Sequence, residues 1–134
     1  MRKNITTSGK RKASVAKAII NEGKGNVTIN KKNYKALDLF DKLRIEEPLR
    51  ITEAILGKLD FDVKISVKGG GDKGQIDASR VALAKAISEF AAEEKLTKAF
   101  LEYDRNLLVA DVRRKEACKP GDSKARAKRQ SSKR

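Results

Sequence analysis

Three observations predict an α+β domain, a sheet backed by helices. Phe61, Val63, Ile65 and Val67 alternate with Asp62, Lys64, Ser66 and Lys68, the period of a strand with one buried and one wet face. Gly69, Gly70 and Gly71 interrupt that alternation, because residues without a Cβ add nothing to a packed face and admit angles that others avoid. Beyond Gly74, Ile76, Val81, Ala84, Ile87 and Ala91 recur at helical spacing, with Asp77, Arg80, Lys85, Ser88 and Glu89 between them. The chain is organised around this unit of strand, glycine loop and helix. Free backbone N–H groups at a helix start, beside a loop with no side chains in the way, offer an approach for a phosphate.

Charge divides the 134 residues into three parts. Residues 1–17 carry six basic and no acidic side chains, and residues 113–134 carry ten basic and two acidic. The stretch between them is neutral, so the net charge of +14 lies entirely on the two ends. We therefore expect a basic N-terminal arm over residues 1–12, a globular domain over 13–112 and an extended basic tail over 113–134. The core is expected to be aliphatic and thin, since the chain has no Trp and the domain is short. With no histidine and a single cysteine, Cys118, an internal disulfide, a His-dependent triad and a Cys/His zinc site are excluded. No run approaches the ~18 apolar residues of a membrane helix, and one free thiol suits a reducing cytoplasm.

The remaining elements follow in order. Thr6, Thr7 and Ser8 among cations have the composition of an organelle transit peptide, but Gly9 interrupts a helix and no apolar stripe accompanies the charges. Lys10, Arg11 and Lys12 read instead as a basic cluster at a strand entrance. Val15, Ile19 and Ile20 predict a strand, Gly23, Gly25 and Asn26 a turn, and Val27 to Ile29 its return, a hairpin over residues 14–30. Tyr34, set among lysines, reads as packing in preference to base stacking. Leu37, Leu39 and Phe40 predict a short helix; Pro48 then suits the first turn of a second, with Glu46 and Glu47 near its positive end and Gly57 at its close. A further helix spans Glu94–Tyr103, and the apolar run 107–112 allows an edge strand. From Arg113 onward apolar content nearly vanishes, and such a segment orders along a polyanion as its cations meet phosphates.

Gly69-x-Gly71-x-x-Gly74 matches the dinucleotide fingerprint, but no acidic residue closes a second strand about 20 residues on, so a nucleotide-dependent enzyme is disfavoured. A Walker loop fails because Gln75, not lysine, follows Gly74. Asp60, Asp62, Asp72 and Asp77 suit strand and cap positions, and Cys118 has no base beside it. No catalytic residue, cofactor or metal is expected. Abundant Lys and Arg with few aromatics point to RNA held by backbone and shape; a free-standing architectural nucleic-acid-binding protein is the alternative.

The sequence also resembles a known family. Gly9-Lys10-Arg11-Lys12 before Val15-Ala16, Gly23-x-Gly25, Gly69-Gly70-Gly71-x-x-Gly74-Gln75, Asp111-x-Arg113-x-x-Glu116-x-x-Lys119-x-Gly121, Ala125-Arg126, Gln130 and the ending Ser132-Lys133-Arg134 resemble universal small ribosomal subunit protein nine. The resemblance runs from end to end, and the wording around Glu47-Pro48-Leu49 is similar to archaeal members. It implies a ribosomal-type two-layer β-α-β domain with a left-handed crossover, and a structural, non-catalytic place on the cytoplasmic ribosome. The implied partners are small-subunit ribosomal RNA, peptidyl-site tRNA and neighbouring proteins of the subunit head, with no membrane or small-molecule substrate. Carried over, Lys128, Arg129, Gln130, Lys133 and Arg134 are the tRNA-binding candidates. Lys10, Arg11, Lys12, Gly69, Gly70, Gly71, Gln75, Arg113, Arg114, Lys119 and Arg126 are those for ribosomal RNA. No aromatic stands near Ser131 or Lys133, so only an electrostatic role transfers to the tail end.

Overall fold

In the computed structural model, which describes residues 4–121 and 125–126, five strands form one sheet, accompanied by three helices. The strands are β1 (Ile5–Arg11), β2 (Ser14–Glu22), β3 (Val27–Ile29), β4 (Lys32–Asn33) and β5 (Phe61–Lys68). The helices are α1 (Leu39–Leu56), α2 (Asp72–Ala91) and α3 (Glu94–Tyr103). The α+β class and the unit β5, glycine loop, α2 follow the sequence expectation.

The sheet order is β1-β2-β5-β3-β4, which corrects the expected hairpin. β5 enters between β2 and β3, antiparallel to the first and parallel to the second, so β3–α1–β5 is the β-α-β unit. The glycine turn spans that gap. Gly23 and Gly25 donate backbone N–H groups to the carbonyls of Asp60 and Phe61, and the Asp62 carboxylate accepts from Lys24 N and Asn26 N, each at 3.0 Å. These bonds satisfy a crossover backbone that would otherwise be left wet.

Residues 5–11, expected within a basic arm, instead form β1, the hairpin partner of β2. The signal was hidden because the two-residue turn holds Lys12 and Ala13, with Lys12 at φ 53°, where a glycine or asparagine is usual. The wet face of β1 reads Thr6, Ser8 and Lys10, so its charge is that of a strand's exposed edge residues.

Pro48 does not start a helix but sits inside α1, fully buried. Proline removes one ladder bond there. The helix begins earlier, where Lys42 N donates to Asp38 O, and ends as expected at Gly57, φ 77°. Leu39 and Phe40, expected in a short helix of their own, open α1 and face out. The run 107–112 forms no strand: Arg105–Leu107 is a 3-10 turn, Leu107 is buried in the core and Leu108 packs against it, while Val109 and Val112 are exposed.

The core is aliphatic as expected. α2 packs on β1, β2 and β5 on one side and on α1 on another, which is why it is buried well beyond one stripe. Small residues suit that close approach: Ala16 and Ala18 of β2 and Ala78, Ala82 and Ala86 of α2 are all fully buried in the core. Gly9 completes the fit, since a Cβ there would lie 2.4 Å from Ala78 O and 2.6 Å from Ala82 N. Phe61 and Phe90 meet edge to face at 6.1 Å. Tyr34 is buried, as the packing reading expects, and loss of hydration pushes its hydroxyl pKa up, with Glu46 adding to the shift. The helices cover one sheet face only; the other stays open.

Candidate nucleic-acid interface

The glycine loop binds the protein itself. Gly69 and Gly70 take φ of 79° and 64°, and added Cβ atoms would lie 2.6 Å from Ala13 O and 2.1 Å from Ser14 Oγ. Ser14 Oγ donates to Gly69 O at 3.0 Å, and Gln75 Nε2 donates to the same oxygen at 3.1 Å. These glycines seat the β1–β2 turn against the start of α2. Of the loop candidates only Gly71 faces open space.

Close by, at the same end of β1, a cleft of about 390 Å³ gathers charge from four parts of the chain. Arg11 reaches Asp77 at 3.7 Å and Asp111 at 2.9 Å, and Arg44 reaches Asp77 at 2.7 Å. Arg80 binds Glu47 and, at 3.3 Å, Asp104. Arg113 grips Asp111 through Nη2 at 2.7 Å and Nε at 3.0 Å, and its backbone N–H donates to Asp111 Oδ1 at 2.9 Å. The Arg113 side chain, then its backbone N–H, hold the Asp111 carboxyl well below the usual carboxylate range, and Arg11 adds to this. A cleft of this size admits a small ligand, but each of these arginines already faces a carboxylate. Its work is to fasten: Asp111 ties the start of the tail to β1.

The candidate residues therefore separate by what they touch. Arg11 and Arg113 are spent on the clasp, Arg114 Nη1 donates to the carbonyls of Asp111 and Arg113, and Arg126 pairs with Glu116 at 3.1 Å. Lys10, Lys12 and Lys119 are exposed and in no ion pair among the described residues. Lys128, Arg129, Gln130, Lys133 and Arg134 lie outside the described residues. Sequence reasoning missed the partnership of Arg11 with Asp111. Nothing local reveals it, because the two are 100 positions apart and meet only once β1 is in the sheet.

Comparison with known proteins agrees with this architecture. The family model described as ribosomal protein S9/S16 matches residues 9–134. A protein of Methanococcus vannielii named small ribosomal subunit protein uS9 is 45% identical over 133 residues, covering 97% of this chain and 98% of its own. Two proteins of Methanococcus maripaludis strains with the same name are 45% and 44% identical over the same shares. These relatives accord with the archaeal character of the sequence. The chain belongs to the ribosomal protein S9/S16 family, whose members are structural, non-enzymatic proteins of the ribosome.

Proposed function

We propose that this small-subunit ribosomal protein holds the head of the subunit together by neutralising ribosomal RNA, and that its C-terminal tail reaches the tRNA in the peptidyl position. The observation that carries the reading is the contrast between a neutral body and ends that supply all of the +14 charge. A protein of this kind gains affinity by releasing counterions from phosphates, with little base discrimination. The exposed Lys10, Lys12 and Lys119 are suited to ribosomal RNA, and neighbouring head proteins are the further partners. The clasp at Asp111 supports the tail assignment, because it fixes where the last 23 residues leave the domain. In this reading Lys128, Arg129 and Gln130 serve the approach to the tRNA, and Lys133 and Arg134 supply charge for its phosphates.

The test is removal of residues 131–134. Subunits carrying the shortened protein are expected to assemble normally and to release peptidyl-site tRNA faster. Equal dissociation rates with and without the four residues would refute the tail assignment.

A further inference from the structure

We propose that the uncovered face of the sheet is a second docking surface for RNA, one that grips the ribose-phosphate backbone through a lysine cluster centred on Lys17. The inference rests on the RNA-binding reading above and adds residues that reading does not use. Register defines the cluster. Lys17 on β2 lies directly opposite Ser8 on β1 and Ser66 on β5. Lys10, Lys64 and Lys68 stand two residues along those neighbours, at the diagonal positions, which lie roughly 7–8 Å away. All four side chains are exposed, and none is in an ion pair among the described residues. The one carboxylate of β5, Asp62, is at the far end and already accepts backbone N–H groups from Lys24 and Asn26.

Like charges at neighbouring positions of a sheet repel, and although Glu89 lines a groove beside Lys17, no ion pair among the described residues offsets that repulsion. An external polyanion does. Val15 and Ile19 flank Lys17 on the same strand and are 45% and 38% exposed, giving the cations an apolar floor. A shallow groove runs past Ile19 between Lys17 and Lys64, with Lys31 on its wall. No aromatic projects from these rows, so base stacking does not operate here. The surface instead suits the phosphates and sugars of a structured, A-form segment, read by shape. In the cleft on the helix side, by contrast, Arg44 and Arg80 are matched with carboxylates.

Two full-length variants with the same loss of charge test this. One carries Lys17→Gln, Lys64→Gln and Lys68→Gln on the open face; the other carries Lys58→Gln, Lys95→Gln and Lys98→Gln, all exposed and away from it. Affinity for transcribed small-subunit ribosomal RNA is measured from low to high salt, and folding of each variant is checked by its thermal melt. The open-face variant is expected to bind at least ten-fold more weakly at low salt, with a log–log slope shallower by about 2, from three contacts at ~0.7 each. The control variant is expected to keep the wild-type slope. Equal slopes in the two variants, with the wild type still binding in a salt-dependent way, would overturn the open-face site and leave the face to a protein neighbour. No salt-dependent binding by the wild type would overturn the RNA reading itself.

Discussion

The cleft beside Arg11 and the open sheet face are about equally rich in cations, yet they are opposite in kind. In the cleft Arg11, Arg44, Arg80 and Arg113 face Asp77, Glu47, Asp104 and Asp111. On the open face Lys10, Lys17, Lys64 and Lys68 have no such partners among the described residues. The residue types differ in the same sense. Arginine, with a planar fork that takes a carboxylate at two points, does the internal fastening; lysine, a mobile point charge on a flexible stem, is left to meet solvent or phosphate. Charge count alone does not identify an RNA-binding surface. The useful quantity is charge left over once internal pairs are subtracted.

β1 joins the two regions, carrying Arg11 into the cleft and Lys10 to the face, so the largest effect is expected where β1 is seated. Gly9→Ala forces a Cβ to within 2.4 Å of Ala78 O, a backbone atom that cannot move without shifting α2. A loss of about 3 kcal/mol is expected from urea denaturation, at the upper end of overpacking costs. Next comes Arg80→Met. The Arg80 side chain is 15% exposed, and its removal leaves Glu47 and Asp104 without their shared cation. A loss of about 2 kcal/mol is expected, less than for a fully buried pair because both carboxylates stay partly wet.

Asp111→Asn should act through pH. In the wild type the folded carboxyl titrates below its unfolded value, so the stability it contributes is present above ~pH 4 and is lost as pH falls toward the depressed folded value. The variant lacks that contribution, and its stability should fall less steeply than the wild type's between about pH 4 and 2, as read by denaturant midpoints at successive pH values. A parallel acid limb in the two proteins would mean that the clasp is not formed in solution. The smallest stability effect is expected on the open face. Lys17→Gln should change the folding free energy by under about 0.5 kcal/mol while weakening RNA binding, the reverse of the pattern expected in the cleft.

How much of this was legible depended on distance along the chain. The alternation from Phe61 to Lys68 and the helical period from Ile76 to Ala91 are local patterns, and the structure follows them. α3 and the Gly57 stop were readable for the same reason. Pairing between strands was not, because β5 enters beside β2 from about 40 residues away and displaces β3. Pro48 misled because proline is a strong start signal by sequence, and only burial among the helices explains its place inside α1. The glycine loop misled in another way: its spacing matches a phosphate-binding pattern, but the atoms that crowd Gly69 and Gly70 belong to Ala13 and Ser14. Lys64 and Lys68 are legible as the wet side of a strand, but their place beside Lys17 depends on the register of β2 with β5.

The account depends most on cations left unpaired by the fold being there to meet RNA phosphates. The direct measurement is the affinity of the intact protein for small-subunit ribosomal RNA as a function of salt. We predict a log–log slope of at least about −4, from six or more phosphates at ~0.7 each; an affinity that stays flat as salt is raised would contradict it.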